Sequence, residues 1–578
     1  MKKSIYILVS LILLSACSKD DDSIQEDGFN YLFNNYLLEN FDLDKDGIIS
    51  VEEAALIKEI DCSGRNLYSL LGLHFLPNLE SIICSNNYIT TLDVSSNTAL
   101  KVLICDNNAI NSINVSNNPR LQTLICDGNK ITELDVSKNH DLETLSCSYG
   151  SGLNAITLNP ELKSLNIMGH TMSSLDFNGN KYLKELYCGG ANLTNLNLNH
   201  TVLDYLDCSG GKLTQLNLEG CTTLKTLVCD GDGLTLDLND CSNLEEFYAT
   251  SVENLVINRS PFIKILHCTN SRLHNLDLSF NPALEELKLT GTDILGSINL
   301  SNNFQLVSVE LGRSINQSML DLSNRKSLKE LSSGRGEWAL ESLNLSECTL
   351  LESIDLEFGT IYSLNLSGCQ ALTTLRCHNS QLTEINLNGC TNLLTLECSG
   401  NNLTALDIGD CTKLTYLDCS GNHLTSLQIN NYNLMILNCM SNRIATINLR
   451  NHTQIKELIC GDNQLNSLDL TGCTSLVELD CRNSSSLEIL TLTNCGALEK
   501  LFCSNGSLTK LDVSQCLELT YLYCAANRLQ PSLDVSQCMA LAELNCTSNP
   551  DLAELFLNQN HAINPLNTDS HTHITLVN

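Results

Sequence analysis

The sequence has few aromatic residues, few prolines and few basic residues. Aromatic residues make up 5% of the 578 residues, there are 8 prolines and 1 tryptophan, and 33 basic residues stand against 66 acidic ones. The resulting net charge of −33 disfavours binding to nucleic acids and to anionic lipid headgroups, because both are negatively charged. The composition does not predict disorder, since apolar residues reach 43% and recur periodically.

Two further absences from the sequence limit which membrane anchor and which metal site can be expected. After the first residues, no apolar run is long enough to cross a membrane, which leaves a lipid as the only membrane anchor to be expected. No two cysteines have the CxxC spacing, which argues against a structural zinc site.

The stretch Leu79–Leu145 shows the pattern on which the chain is built, a unit of 21 residues that repeats without a gap. Each unit contains Leu-x-x-Leu-x-Cys-x-x-Asn and then Ile-x-x-Leu-x-Val-Ser-x-Asn, or close variants. Cysteine takes the same position in successive units, at Cys84, Cys105, Cys126 and Cys147. A repeat this regular predicts that each unit buries its apolar edge against the next, so that the chain winds into a solenoid.

The recurring Leu-x-x-Leu-x-(Leu/Cys)-x-x-(Asn/Cys)-x-Leu pattern resembles the leucine-rich repeat family and extends over residues 57–560. Unit starts lie 19 to 23 residues apart, which gives about 24 coils of ~21 residues. The second half of a unit repeats the spacing of the first, as in Ile113-x-Val115-x-x-Asn118. We therefore predict a β-rich solenoid, a leucine-rich repeat superhelix with two extended segments and little helix in each coil.

Residues 1–17 have the features of a targeting segment, with a charged start, a short apolar core and the ending Leu14-Ser15-Ala16-Cys17. This ending resembles the lipobox of bacterial lipoproteins, which implies a lipid on Cys17; an ordinary signal peptide is the alternative. The acidic tether at 18–27 resembles the tag that directs some Gram-negative lipoproteins to the cell surface, or is a solvated tether with no address. The resemblance implies an outer-membrane lipoprotein, exposed on the cell surface.

Residues 28–60 are predicted to form a small helical cap. Apolar residues at three- and four-residue steps predict a helix over Gly28–Phe41, and a second helix is expected from Val51 to about Ile60. Between them, Asp42–Glu53 resembles an EF-hand calcium loop over its whole length, with oxygen ligands at the spacing that Ca²⁺ requires. The resemblance implies as ligands Asp42, Asp44, Asp46, Ile48 through its carbonyl, Ser50 and Glu53.

No second EF-hand loop is found in the sequence. A single loop is expected to brace the cap over the first coil rather than to act as a switch, because the terminal coil of a solenoid needs covering. The alternative is an acidic helix-turn-helix that binds no metal.

The 29 cysteines follow the repeat. Eighteen take the first-half position that Leu289 or Ile167 takes elsewhere, and ten take the second-half position of Asn118 or Asn139. We predict free thiols, which pack as small apolar residues in the first position and hydrogen-bond the backbone in the second. Disulfides are the alternative for an exported chain. Stacked side chains project in parallel, however, whereas a disulfide needs Cβ atoms that converge.

Two parts of the chain depart from the pattern. Between Leu284 and Leu372 the steps lengthen, and Gly334–Trp338 interrupts one coil. A local bulge or a change of curvature is one interpretation, and a ligand contact is the other. At the other end, residues 561–578 are predicted to be a C-terminal cap or tail with a short strand around Ile574–Val577.

No catalytic residues can be assigned. Aspartates recur in the second half of the units and alternate with asparagines, as at Asp93 and Asn114. Such a periodic column predicts a solvated ladder on one outer face, whereas a catalytic pair needs two unlike environments. An enzyme is therefore not expected.

The strand position just before the first cysteine of each unit is the candidate binding face. It carries an isoleucine stripe near one end of the solenoid and aromatic residues near the other, and such patches are candidate contacts. Ordinary preference of a sheet surface for β-branched and aromatic residues is the alternative. The candidate residues are Ile83, Ile104, Ile125, Tyr187, Phe502, Tyr521 and Tyr523.

These features together predict a monomeric cell-surface binding protein of the adhesin or ligand-capture type, similar in architecture to bacterial internalins. Its ligand would be a protein or a glycan, and Ca²⁺ would occupy the cap. A structural surface spacer without a specific ligand is the first alternative. A secreted effector that carries an enzyme is the second, and it would need a catalytic domain outside the repeats, which the sequence does not contain.

Overall fold

The computed structural model describes residues 23–150, 152–170, 172–177, 179–312, 314–333, 340–356 and 360–578. The chain has two compact units, Met1–Arg272 and Leu273–Asn578. The predicted leader at 1–17 with its Cys17, and the interruption at Gly334–Trp338, lie outside the described residues.

The first unit contains helix α1, Ser23–Phe41, helix α2, Val51–Ala54, and a 3-10 turn, Leu73–Phe75. Parallel strands of its main sheet follow one another coil by coil: Glu59–Asp61, Ser81–Ile83, Val102–Ile104, Thr123–Ile125, Thr144–Ser146, Ser164–Asn166, Glu185–Tyr187, Tyr205–Cys208, Thr226–Asp237, Glu246–Val256 and Ile265–Thr269. The second halves of the coils add the strand pairs Glu133–Asp135 with Ala155–Thr157 and Asn195–Asn197 with Gln215–Asn217.

The second unit repeats this arrangement. Its main-sheet strands are Glu286–Lys288, Ser308–Glu310, Glu330–Ser332, Ser353–Asp355, Thr374–Arg376, Thr395–Glu397, Tyr416–Asp418, Ile436–Asn438, Glu457–Ile459, Glu478–Asp480, Lys500–Phe502, Tyr521–Tyr523, Glu543–Asn545 and Leu566–Asn567. The other strands are Leu276–Asp277, Asp293–Ile294, Ile298–Asn299, Ser314–Ile315, Met319–Asp321, Ser342–Asn344, Ser363–Asn365, Glu384–Asn386, Ser467–Asp469, Ile489–Thr491, Ser532–Asp534, Glu554–Asn558 and His573–Val577. The short strand Arg272–Leu273 falls where the two units divide.

In most coils the strand is three residues long, and its middle residue points inward. In Ser81–Ile83 the central Ile82 is fully buried, whereas its two neighbours are half-buried. Consecutive strands pair without a shift, so that Ile82 stacks on Leu103 and Leu103 on Leu124. The core of each unit is therefore a set of stacked aliphatic columns, and the residues on either side of the inward one form the outer strand face.

A buried or half-buried asparagine links many of the coils to the one before them. Asn87 donates from Nδ2 to the carbonyls of Cys62 and Cys84, both at 3.0 Å, and its Oδ1 accepts the Leu67 amide at 2.9 Å. These bonds satisfy the backbone groups of the turn that follows the strand, where no neighbouring strand can reach them. The same arrangement, here called the asparagine ladder, recurs at Asn108, Asn129, Asn401, Asn422, Asn442, Asn463, Asn527 and Asn549.

His170 occupies an asparagine-ladder position. Its ring is buried, Nδ1 accepts the Leu153 amide at 3.1 Å, and Nε2 lies against the Cys147 carbonyl. One nitrogen that accepts and one that donates reproduce the hydrogen bonds of the asparagine amide. This histidine is a ladder residue and needs no functional explanation.

The second-half cysteines hydrogen-bond the preceding coil, as expected. Cys348 and Cys369 donate from Sγ to the carbonyls of Leu322 and Leu345, both at 3.2 Å. Burial raises the pKa of Cys390, a third member of the column, to about 12, so that its thiol keeps the proton it donates to the Leu366 carbonyl. All 28 cysteines from Cys62 onward are buried, and no disulfide joins them in the described part of the chain.

The pairing of two long strands in the first unit is irregular in register. The long strands Thr226–Asp237 and Glu246–Val256 pair with register shifts on both sides of Leu234. These coils carry Asp232 and Val252 at the asparagine-ladder position, and their backbones pair directly instead. By contrast, the described main-sheet strands between Leu284 and Leu372 pair without a register shift.

The cap differs from the prediction in the extent of both helices. Helix α1 begins at Ser23, inside the predicted tether, and α2 ends at Ala54 rather than near Ile60. Helix α2 is short because Glu59–Asp61 pairs with Ser81–Ile83 as the first strand of the main sheet. Phe33, Tyr36 and Leu37 of α1 are buried, and Tyr36 Oη accepts the Asp61 amide at 3.0 Å. Helix α1 thus packs on the first coil.

The C-terminal residues continue the solenoid beyond the predicted end at 560. Leu566–Asn567 pairs with the main-sheet strand Glu543–Asn545, and His573–Val577 pairs with Glu554–Asn558. The strand predicted around Ile574–Val577 is present. The stretch 561–578 therefore adds one strand to each of two sheets instead of forming a separate tail.

Replacing a member of the asparagine ladder should destabilise the protein strongly. Asn129→Ala would leave the Ile110 amide and the Cys126 carbonyl without the partners they have at 3.0 Å, and we expect a loss of about 2 kcal/mol or more. Asn111→Ala, at an exposed position, is the matched control and should change the free energy of unfolding by less than about 0.5 kcal/mol. Urea denaturation measures both values, and equal effects would contradict the proposed role of the ladder.

Candidate functional site

The predicted isoleucine stripe lies on the outer strand face of the first unit. Ile83, Ile104 and Ile125 are consecutive partners in the sheet register. Each is half-buried rather than exposed, because the same position in the coils above and below covers its flanks. Strands lie about 4.8 Å apart, so the three side chains form one continuous apolar row roughly 10 Å long.

The aromatic residues predicted in the second unit form a stacked group on its strand face. Phe502 and Tyr523 are register partners, and their rings stack at a centroid distance of 5.4 Å with 16° between the planes. Tyr521 stands two residues from Tyr523 and is 39% exposed. The Tyr523 hydroxyl donates to the Glu543 carboxylate, and this interaction raises the pKa of the phenol.

A cationic side chain, that of Arg482, also contacts this aromatic group. The Arg482 guanidinium lies over the Phe502 ring, 5.2 Å from its centroid, and donates from Nη2 to Asp480 Oδ2 at 2.6 Å. Its Nε reaches Oδ1 of the same carboxylate at 3.0 Å. The strand face of the second unit therefore holds a guanidinium between a carboxylate and an aromatic ring, an arrangement in which both partners attract the cation.

Tyr187, the remaining predicted contact, belongs to a larger group of tyrosines that was not predicted from the sequence. Its ring meets that of Tyr205 on the next strand at a centroid distance of 4.8 Å. Tyr248 stands in the same column as Tyr187, three strands away from it. Tyr205 occupies the first rather than the third position of its strand, so a search of the third position alone passes over it.

The aspartate column predicted on the other outer face has a structural role. Asp93, Asp135 and Asp512 each accept the backbone amide of the serine two residues ahead, at 2.9 to 3.0 Å. Hydrogen bonds from the serine hydroxyls and amides lower the pKa of all three carboxyls; the hydroxyl bond has the larger effect on Asp93 and Asp512, and the amide bond on Asp135. Asn114 makes the same bond to Ser116, which explains why aspartate and asparagine alternate in this column.

Three of the predicted metal ligands converge in the loop between α1 and α2. Asp42, Asp44 and Asp46 each present a carboxylate oxygen, and these oxygens lie within 4.8 Å of one another. Gly47 makes the turn at φ +84°, and its amide donates to Asp42 Oδ2 at 2.9 Å. The pKa of Asp44 is raised: a hydrogen bond from the Asp46 amide lowers it, but desolvation and repulsion from the neighbouring carboxylates outweigh that bond. A divalent cation would relieve this repulsion.

Glu53 and Ser50, two further predicted ligands, bond to each other and to the loop. Glu53 Oε1 accepts the Leu43 amide at 2.7 Å, and Oε2 accepts both the amide and the hydroxyl of Ser50 at 2.8 Å. These bonds, first the one from the Ser50 amide, lower the pKa of Glu53. They also form the capping box that starts α2. The donor set thus has the oxygen chemistry that Ca²⁺ prefers, with the Asp42, Asp44 and Asp46 carboxylates brought together and Glu53 held beside them.

No family model matches the chain. Internalin J of Listeria monocytogenes serotype 4b (strain F2365) is 36% identical over 58 residues, which span 10% of this chain and 6% of internalin J. A TDR receptor structure matches 92% of this chain and 95% of its own, with 15% identity and a TM-score of 0.54. The plant peptide hormone receptor RGFR1, in complex with RGF2, matches 90% and 92%, with 18% identity and a TM-score of 0.50.

These likenesses establish the fold. The chain is a β-solenoid of about 24 turns that matches leucine-rich repeat structures, which confirms the predicted fold class. The match to internalin J covers a small part of either chain. Among the described residues, no helix combines the length and the apolar character that a membrane span requires.

Proposed function

We propose that this chain is a cell-surface binding protein that captures a protein ligand on the outer strand face of its solenoid. The observation that carries the proposal is the Phe502–Tyr523 stack, whose partly exposed rings project from adjacent strands in register. Rigid aromatic side chains on a sheet lose little conformational entropy on binding and supply much contact area.

A comparison of the two outer faces supports capture on the strand face rather than a purely structural role. The face is apolar or aromatic in separate stretches, at Ile83 to Ile125 and at Phe502 to Tyr523, although the protein as a whole is strongly acidic. The aspartate column on the other outer face is occupied by turn hydrogen bonds. RGFR1, which shares the fold, is a peptide hormone receptor in complex with RGF2, and a protein or peptide ligand is the corresponding choice here.

The place of action is part of the same proposal. The Leu14-Ser15-Ala16-Cys17 ending supports a lipoprotein that is anchored through Cys17 in the outer membrane and exposed on the cell surface. A chain anchored in this way would meet its ligand outside the cell, where a protein ligand is available and nucleic acid is repelled by the net charge of −33.

A screen of the full chain on protein and glycan arrays tests this function. We expect a protein ligand whose affinity falls about tenfold or more in the Phe502→Ala, Tyr523→Ala double variant, because central aromatic contacts dominate binding energies. Tyr362→Ala is the matched control, since Tyr362 is 45% exposed and precedes Ser363–Asn365, a strand outside the main sheet. A ligand whose affinity is insensitive to the double variant, or the absence of any bound protein, would sink the proposal.

We further propose that Ca²⁺ braces the N-terminal cap. Asp42, Asp44 and Asp46 would hold the ion together with the Ile48 carbonyl, Ser50 and Glu53, and the bound charge would fix the loop between α1 and α2. Because Phe33 and Tyr36 of α1 pack on the first coil, a fixed loop would hold the cap closed over the end of the solenoid.

Calcium should therefore stabilise the protein through this loop. At about 100 times its dissociation constant, a ligand of the folded state adds about 2.7 kcal/mol, so Ca²⁺ should raise the melting temperature and a chelator should lower it. Asp42→Ala should abolish the difference. Glu52→Ala, an exposed carboxylate of α2 outside the predicted ligand set, should keep it. A melting temperature that does not respond to Ca²⁺ in the unmodified chain would rule out the brace.

A further inference from the structure

A group of tyrosines and carboxylates lies on the strand face of the first unit and includes neither the Phe502–Tyr523 stack nor the isoleucine stripe. It is here called the tyrosine–carboxylate patch and consists of Tyr187, Tyr205, Tyr248, Asp207 and Glu246. Register places Tyr187, Asp207 and Tyr248 in one column and Tyr205 and Glu246 in the other. All five side chains are half-buried, so each still offers surface to solvent.

The patch has the form of a shallow slot. The Tyr187–Tyr205 ring pair, with centroids 4.8 Å apart, stands on one side and Tyr248 on the other. Between them runs the strand that begins at Thr226, whose outward side chains Thr226 and Val228 are smaller. Two strand spacings, roughly 10 Å, separate the backbones that carry Tyr205 and Tyr248. This width accommodates a flat group between aromatic side chains.

Two carboxylates border the slot, and both act on Tyr205. Asp207 lies beside the ring pair, and Glu246 accepts the Tyr248 hydroxyl at 3.4 Å. The pKa of Tyr205 is raised, first by burial and then by the negative charges that include Asp207 and Glu246. The negative charges of Asp207 and Glu246 therefore produce a negative potential at the aromatic surface, which attracts cations and repels anions.

In the described part of the chain, no basic side chain forms an ion pair with either carboxylate. The lysines along this edge of the sheet pair within their own column, as Lys184 does with Asp204 at 3.6 Å. Asp207 instead accepts the amide and the hydroxyl of Ser209, at 3.0 and 2.6 Å. Both carboxylates have lone pairs left for a further donor.

The second unit supplies an internal template for what such a site holds. There, Asp480 is followed two residues later by Arg482, whose guanidinium pairs with that carboxylate and lies over the Phe502 ring. In the first unit, Asp207 is followed at the same distance by the uncharged Ser209. The carboxylate and the aromatic rings are present in the first unit, and among the described residues no basic side chain forms an ion pair with Asp207.

We infer that the tyrosine–carboxylate patch binds an arginine side chain from a basic segment of a protein ligand. Guanidinium matches both halves of the site, because its flat face stacks on tyrosine rings and its N–H groups pair with carboxylates. Lysine shares the charge but not the flat face, and should bind more weakly. The inference deepens the proposed function, on which it rests, by naming the chemistry of the ligand.

The test uses the full chain and an acetylated, amidated peptide in which four arginines alternate with glycines. Binding is measured by fluorescence polarisation of the labelled peptide. Both the Tyr205→Ala, Tyr248→Ala variant and the Asp207→Asn, Glu246→Gln variant should weaken binding about tenfold or more. The same peptide with citrulline in place of arginine keeps the shape without the charge and should not bind. Unchanged melting temperatures show that the variants are folded.

The matched control removes two charges from the strand face of the second unit, on strands that carry no tyrosine of the patch. Asp355→Asn with Glu330→Gln alters adjacent strands of the second unit and should change the affinity less than about twofold. Equal losses in the control and the patch variants would show attraction to the overall charge and overturn the inference. So would binding of the citrulline peptide, or no binding of the arginine peptide. If the array then still yielded a ligand sensitive to Phe502 and Tyr523, the proposed function would stand without this site.

Discussion

The asparagine ladder is the interaction on which the rest of the structure depends. After each strand the chain turns, and the amides and carbonyls of the turn point into the interior, where water cannot satisfy them. A single buried side chain, such as Asn129, meets this need by donating to two carbonyls and accepting one amide. Because it joins two coils, it also fixes their spacing and register.

This constraint explains which substitutions the repeat accepts. Histidine replaces asparagine at position 170 because its two ring nitrogens provide one acceptor and one donor. In the second half of the coil, cysteine replaces asparagine where a donor to the preceding carbonyl is sufficient. In the two coils that carry Asp232 and Val252 at the ladder position, the backbones pair directly and the strands are longer. The inward positions are therefore under tight chemical constraint, whereas the outward strand positions are free to carry a binding surface.

The sequence predicted the features that repeat and missed those that depend on contacts between unlike coils. The solenoid, its period and the two cysteine positions follow from spacing alone. The early end of α2 could not be seen, because the strand Glu59–Asp61 forms only by pairing with Ser81–Ile83. The Tyr187–Tyr205 contact joins two different strand positions, so it becomes visible only when the register is known. The partnership of Glu53 with Leu43 depends likewise on how the loop folds back.

Hydrogen–deuterium exchange of the full chain tests the central role of the ladder most directly. The amides of Leu67, Ile89 and Ile110 lie outside the strands but donate to side-chain oxygens of the asparagine ladder at 2.9 to 3.0 Å. They should exchange as slowly as amides within the main-sheet strands, and far more slowly than the Ser95 amide, which donates to the exposed Asp93. Exchange of these three amides at the rate of Ser95 would contradict the account.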